Sequence, residues 1–277
     1  MTKGSRWHRV AGLPRSTENT MPDSLLQPDD PPAFASHNET GRFPLLLTCD
    51  HAGNAVPRGL AGLGLPGSEL GRHIGWDIGA LDVAIRLSEL LDAPLLASGH
   101  SRLAIDCNRT PGGPGSIPRV SDGTTVPANV GLSPGAAKAR ADNLFWPYHR
   151  AIAATLDAFA ARGVAPAVLA IHSCTPVMAG HARPWQVGVV WKADARLPSP
   201  LLAELRASPG FFVGDNEPYS GRAGTGYTLT AHAEPRGLPH ASVEIRQDLI
   251  GTKSSALAWA DRLAPLFGRA VEASRRA

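Results

Sequence analysis

Two histidines, a glutamate and a knot of arginine, aspartate and asparagine are the side chains in this sequence whose types and spacing could do chemistry. His51 closes the apolar run Leu45-Leu46-Leu47-Thr48-Cys49 and is followed by the small residues Ala52 and Gly53; His172 closes a second run, Ala167-Val168-Leu169-Ala170-Ile171. Two buried strands that each end in a histidine make half of a metal-site pattern, since imidazole is a common zinc ligand. Open α/β sheets also bind their ligands just beyond the carboxyl ends of the strands, where both histidines would stand. Arg102, Asp106, Asn108 and Arg109 crowd eight residues. A guanidinium beside an amide is suited to gripping a carboxylate, because the planar fork donates two parallel bonds and the amide a third. Glu244 lies inside the strand-like Ser242-Val243-Glu244-Ile245-Arg246, where an unpaired charge costs several kcal/mol. It needs a partner, either a metal-bound water or Arg246. Each residue also has a plainer reading: His51 as a satisfied turn histidine, and Arg102 with Asp106 as a surface ion pair.

The elements that must carry these groups follow from hydrophobic pattern. The run at 45–49 is continuously apolar, as strands covered on both faces are. From Ile74 to Leu91, Ile78, Leu81, Ala84, Ile85, Leu87, Leu90 and Leu91 recur at three and four, which predicts an amphipathic helix. Trp76-Asp77 stands at its front edge, where an aspartate also favours the positive end of a helix dipole. Strands are predicted at Pro94–Ala97, Arg102–Arg109, Gln186–Trp191 and Phe211–Val213. Between Pro111 and Pro134 runs a long Gly/Pro-rich loop, read as a lid or binding loop. A helix over Pro134–Arg162 is interrupted near Pro147, and one over Ser254–Ser274 is broken or kinked at Pro265. Gly224, Gly226, Tyr227 and His232 read as loop.

Composition narrows the function classes. The 277 residues are 43% hydrophobic and 18% charged, with no apolar span long enough for a membrane helix. The pI is near 9.0, but the net charge is only +3 and the arginines are scattered, which gives no nucleic-acid footprint. Three cysteines without C-x-x-C spacing argue against a disulfide framework and for a reducing compartment. Residues 1–40 carry Arg6, His8, Arg9, Arg15 and several prolines with no apolar secretory core, so they read as a flexible extension before a single domain at 41–277. Met21 is a candidate true start, and the expected location is the cytoplasm.

Taken in order, Cys49-Asp50-His51-Ala52-Gly53-Asn54, Ser101-Arg102 to Asp106-Cys107-Asn108-Arg109, Ile171-His172-Ser173, Asn216 to Gly221 and Glu244-Ile245-Arg246 resemble the N-formylglutamate amidohydrolase family over residues 43 to 250. The same order is similar to the wider zinc carboxypeptidase and aspartoacylase group. The resemblance implies an α/β fold with a mixed central β-sheet flanked by helices on both faces, zinc-carboxypeptidase-like. It implies that His51 and His172 bind one Zn2+, with another divalent metal as the alternative, that Asn108 and Arg109 hold a substrate carboxylate, and that Glu244 is the general base. The carboxypeptidase pattern His-x-x-Glu is absent, since Asn54 occupies the glutamate position. Asp77, in a Trp-Asp stretch resembling the family's, is the expected third ligand, with the Asn54 carbonyl oxygen as the alternative. Arg102 is expected to assist catalysis at the oxyanion. Arg102 or Arg119 would read a second carboxylate, and His149 and His232 are candidates for substrate contact or, equally, for a structural role.

The implied activity is hydrolysis of the amide bond of a small N-formyl or N-acyl amino acid such as N-formyl-L-glutamate, releasing formate and the free amino acid. Alternatives are a deacylase or peptidase for another N-acyl amino acid and a non-catalytic binder of such compounds. A cysteine hydrolase is a further one, with Cys174 near His172 or Cys49 near His51. No Gly-x-Ser-x-Gly elbow is present, which disfavours a serine hydrolase.

Overall fold

The computed structural model describes residues 25–224 and 226–276. Met21 and the basic residues before it lie outside these. In chain order the strands are β1 (Phe34–His37), β2 (Leu45–Cys49), β3 (Leu95–Ser98), the short hairpin β4 (Val120–Ser121) and β5 (Thr124–Thr125), β6 (Ala167–Cys174), a second hairpin β7 (Val177–Met178) and β8 (His181–Ala182), β9 (Val187–Val190), β10 (Val213–Asp215) and β11 (His240–Arg246). The helices are α1 (Gly67–Leu70), α2 (Ala80–Leu91), α3 (Pro134–Arg140), α4 (Trp146–Ala161), α5 (Pro198–Ala207), α6 (Thr228–His232) and α7 (Lys253–Ser274).

Seven strands form one mixed sheet in the order β1-β3-β2-β6-β11-β9-β10. Strands β3, β2, β6 and β11 run parallel, β1 and β9 oppose their neighbours, and β10 follows β9. The fold is α/β, and the strand alternation sorts its core into two faces. Leu45, Leu47, Leu169, Ile171, Val243 and Ile245 point to one face, where they pack with α2, α5 and α7. Leu46, Leu96 and Val168 point to the other, where Tyr148, Ile152, Leu156 and Phe159 of α4 cover them. Glu244, Ser242 and His240 share the α4 side of the sheet but line a cavity there. That uncovered stretch of β11 is where the site forms.

Chain direction fixes the rest. After β2 the chain passes through α2 to β3 on one side, while β6 pairs with β2 on the other. The ends of β2 and β6 therefore flank a switch point, the place where open sheets leave a crevice.

Several expectations are corrected. Phe34–His37, inside the stretch expected to be an extension, is the edge strand of the sheet, in register with Leu95–Ser98. Arg102–Arg109 is a series of turns: Ala104 N donates to Ser101 O, Asp106 N to Ser116 O and Arg109 N to Asp106 O. Leu103, Ala104 and Ile105 are buried consecutively in a separate cluster with Leu63, Val126 and Phe145, a packing that strand alternation forbids. Residues 111–134 contain the β4–β5 hairpin and contribute nothing to the cavity wall; they cover that cluster instead. Buried Arg140 ties the two segments together, donating to the Ala104 and Ala128 carbonyls and to Asn129 Oδ1.

The interruption near Pro147 is a π-turn over Ala141–Phe145, joining α3 to α4 just ahead of the proline. Helix α7 runs unbroken through Pro265, which is exposed, so the carbonyl that loses its partner can face water. Helix α2 begins later than the periodicity suggests because Gly79, at φ 79°, turns the chain at its N-cap. A Cβ on Gly79 would lie 2.1 Å from the Ile250 carbonyl oxygen. Gly79→Ala is therefore expected to cost about 2–4 kcal/mol, from left-handed strain plus overpacking, measured by urea unfolding. A loss below about 0.5 kcal/mol would contradict this close approach.

Candidate active site

His51 and His172 leave the ends of β2 and β6 and meet at Asp77, which is held in the turn before α2. Asp77 Oδ2 lies 3.3 Å from His51 Nδ1 and 2.9 Å from His172 Nδ1, and it accepts the Ser173 backbone N–H at 3.3 Å. Its position is set locally: Asp77 N donates to the His51 carbonyl, and Ser173 Oγ donates to the Ile78 carbonyl. The two imidazoles each have a second buried carboxylate behind them. His51 Nε2 is 2.7 Å from Asp106 Oδ1, and His172 Nε2 is 3.3 Å from Asp50 Oδ2.

Those second carboxylates are anchored in turn. Asp50 Oδ1 accepts from Tyr148 Oη and Thr228 Oγ1, both at 2.8 Å. Asp106 accepts from the Asn108 N–H at 2.8 Å and, through Oδ2, from Arg102 at 3.0 Å; Arg102 also donates to Asp77 Oδ1 at 3.3 Å.

This arrangement decides the charge states. Burial alone would raise the carboxylate pKa values, but the facing imidazoles outweigh it: Asp50 is lowered to about 2, and Asp77 and Asp106 fall well below the usual range. Burial would likewise neutralise the histidines, yet the carboxylates raise His51 and raise His172 well above the usual imidazole value. His51 faces a carboxylate oxygen at each nitrogen, and His172 faces Asp77 at Nδ1 with Asp50 Oδ2 3.3 Å from Nε2, so the surroundings favour the charged form of both rings.

The same geometry tests the implied metal. Ligand atoms of His51, Asp77 and His172 lie within 4.8 Å of one another, all buried. Two Nδ1 atoms aimed at one carboxylate oxygen can be bridged to it either by two Nδ1–H protons or by one divalent cation. The outer nitrogens rest on carboxylates, the arrangement that orients histidine ligands and raises their basicity. An N, N, O donor set of this kind fits zinc. Asn54 is not in the group; its amide donates to the Leu70 carbonyl.

Glu244 stands beside His172 in the β6–β11 register. Its Oε2 is buried with no hydrogen-bond partner, and burial pushes its pKa up to about 7, with His172 opposing and Asp77 adding to the rise. Arg246 is not its partner: that guanidinium donates to Asp248 and to the Arg183 carbonyl. Asn108, Arg109 and Arg102 line the same cavity, of about 210 Å³. Asn108 Oδ1 is already committed to the N–H groups of Tyr227 and Thr228, so this residue also caps α6.

Three expected contacts lie elsewhere. Arg119 is exposed on the covering segment and is not part of the cavity wall. His149 and His232 are buried together beneath the site, 3.0 Å apart between Nδ1 and Nε2, and are likewise not among the lining residues. The stretch containing His232, read as loop, is helix α6. His149 Nε2 faces the Cys107 carbonyl at 2.8 Å, which can only accept. The neutral ring must therefore carry its proton on Nε2, making His149 Nδ1 the acceptor and His232 Nε2 the donor.

The Arg102–Asp106 ion pair read from the sequence is present, largely buried, whereas Asp50 and the contact of Asp106 with His51 carry no signal in the sequence although both residues sit inside the quoted motifs. The sequence reading also passed over Tyr219 and Lys192, which line the cavity from separate loops. The thiols do not form a nucleophile: Cys49 and Cys174 are buried, burial raises Cys49 well above its ordinary value, and Cys174 is pushed up to about 12.

A mixed α/β sheet carries a carboxylate and a histidine–aspartate cluster at its switch point, and the family match places the chain in the class of hydrolases acting on carbon–nitrogen bonds other than peptide bonds. The family described as N-formylglutamate amidohydrolase matches residues 43–251, and the chain belongs to that family. Gene product Atu2144 from Agrobacterium tumefaciens has a similar structure, with a TM-score of 0.86 and 34% identity over 90% of this chain and 98% of that one. The N-formylglutamate amidohydrolase from Ralstonia eutropha JMP134 shares the fold, with a TM-score of 0.67 and 21% identity over 88% of this chain and 98% of that one. Among curated proteins there is no match.

The buried histidine pair gives a prediction of sign. Burial is the main cause that lowers His232 to about 4, with His149 and Arg236 adding to it. The unfolded chain, at about 6.5, then takes up a proton that the folded chain does not, so this pair's contribution is present above about pH 6.5 and is lost as pH falls toward 4. Wild type is expected to lose roughly 1–3 kcal/mol more than His232→Gln between pH 7 and pH 4.5, measured by chemical denaturation. Equal losses would assign the pH dependence elsewhere.

Proposed function

We propose that this protein hydrolyses the amide bond of a small N-formyl or N-acyl amino acid, with N-formyl-L-glutamate the first substrate to test. The observation that carries the reading is Glu244, whose buried Oε2 makes no hydrogen bond, beside the His51–Asp77–His172 cluster in a cavity that also holds Asn108 and Arg109.

His51, Asp77 and His172 would hold one Zn2+, which when bound supplies Lewis-acid polarisation of a carbonyl and acidifies water. Glu244 accepts a proton from the attacking water as its oxygen adds to the formyl carbon. The same carboxyl returns that proton to the nitrogen as the C–N bond breaks, leaving formate and the amino acid. A carboxyl pushed up to about 7 can perform both transfers near neutral pH. Arg109, with the Asn108 amide beside it, anchors the substrate's α-carboxylate and sets the scissile bond over Glu244. Arg102 keeps Asp77 and Asp106 in place and presents positive charge to the developing oxyanion. The soluble N-acyl amino acid is the only partner this reading requires, and no described helix is long and apolar enough to cross a membrane.

The first experiment combines elemental analysis of the purified protein with formate release from N-formyl-L-glutamate, with and without chelator. About one zinc per chain and chelator-sensitive release are expected. Zinc without release would redirect the search to other N-acyl amino acids; neither metal nor turnover after zinc reconstitution would favour a non-catalytic binder. Glu244→Gln is expected to lower kcat by about 10²–10⁴-fold with zinc content retained. An unchanged kcat would remove Glu244 from the reaction. Asp106→Asn, which weakens the support behind His51, is expected to reduce zinc affinity about 10–100-fold in a competition titration.

A further inference from the structure

A dicarboxylic substrate such as N-formyl-L-glutamate presents a second carboxylate, on its side chain, and the cations expected for it are not available. Arg119 lies outside the cavity, and Arg102 is bound to Asp77 and Asp106. Among the described residues, the lysines and arginines lining the cavity are Arg102, Arg109 and Lys192. With Arg109 at the α-carboxylate, Lys192 is the remaining one.

Its place in the fold suits that task. The cavity follows one face of β11, where Glu244, Ser242 and His240 alternate. Strand rise separates Glu244 from His240 by about 13 Å, so the cavity has a reactive end and a remote end. Strand β9 runs antiparallel to β11 with Val190 opposite Ser242, which carries Lys192, two residues on, to the remote end. There Lys192 Nζ lies 3.1 Å from Glu234 Oε2 and 3.4 Å from Oε1, and Thr230 Oγ1 donates to the same carboxylate at 3.2 Å. Lys192, Glu234 and His240 also border a second hollow of about 220 Å³, so the ion pair stands between the two.

We propose that Lys192 is the specificity-determining residue that reads the substrate's side-chain carboxylate, and that Glu234 is an internal stand-in for it. In the resting protein Glu234 holds the ammonium at the end of the cavity. An acidic side chain of the substrate competes for that ammonium, while a neutral one leaves the pair intact and gains no charged contact. The pair is partly exposed, with side-chain accessibilities of 46% for Lys192 and 30% for Glu234, so exchanging one carboxylate partner for another requires no repacking of the core. This inference rests on the amidohydrolase reading and names the substrate class of the same site.

The test compares N-formyl-L-glutamate with its neutral isostere N-formyl-L-glutamine. In Lys192→Met the ratio of kcat/KM for glutamate over glutamine is expected to fall about 10–100-fold, the worth of one charged hydrogen bond, with the change in KM rather than kcat. In Glu234→Gln the competing carboxylate is gone, and the ratio is expected to rise. A ratio within about twofold of wild type in Lys192→Met would overturn the assignment, since a merely structural lysine would lower both substrates together. Calorimetric binding of the products L-glutamate and L-glutamine to the same proteins separates the two layers. Turnover with an unchanged ratio sinks Lys192 and keeps the reaction. A Lys192-dependent preference for L-glutamate without turnover keeps Lys192 and sinks the reaction; neither turnover nor preference sinks both.

Discussion

One carboxylate oxygen, Asp77 Oδ2, is met by His51 Nδ1, His172 Nδ1 and the Ser173 N–H, while Arg102 takes the other oxygen. The four groups come from three strand ends or turns far apart in sequence, and much of the fold serves to bring them to one point. Burying this much charge is costly unless every member is paired. The pairing is met in layers: Asp106 behind His51, Asp50 behind His172, then Tyr148 and Thr228 behind Asp50. Because each layer comes from a different element, the site and the tertiary structure are stabilised by the same contacts.

The layering also explains why Glu244 can be left without a partner. Helix α4 covers β3, β2 and β6 on its side of the sheet with Tyr148, Ile152, Leu156 and Phe159, whereas the equivalent face of β11 carries Ser242 and Glu244 along a cavity. Glu244 Oε2 makes no hydrogen bond of its own, and its burial beside the cluster raises the carboxyl pKa. That is the condition a proton-transfer group needs. The covering segment at 111–134 and Arg140 hold the turn at 102–109 from outside, so Arg102, Asp106 and Asn108 are positioned by packing that never touches substrate.

Much of this was legible in the residues. The apolar runs ending in His51 and His172 identified both central strands, and the polar knot at 102–109 marked a site even though its backbone was read as a strand. That misreading has a simple cause: Leu103, Ala104 and Ile105 are as apolar as a strand, and only their common burial against Leu63 and Phe145 shows that the chain is turning. His149 and His232 admit both a substrate-contact and a structural reading for a related reason, since a histidine facing another histidine in the core has the same letter as one facing a ligand. Lys192 carried no signal, being a lone lysine after a strand whose direction the sequence does not give.

The sequence by itself determined the α/β class, the two histidine-bearing strands, the candidate third ligand at Asp77 and the membership implied by its ordered motifs. These depend on local patterns of apolar and polar residues, which the chain states directly. Only the tertiary structure decided which carboxylate stands behind which histidine, which polar residues line the cavity and which merely support it, and which cation remains for a second carboxylate. Those answers depend on distances between residues far apart in the sequence, such as Tyr148 and Thr228 with Asp50, and burial and charge pairing act through such distances alone.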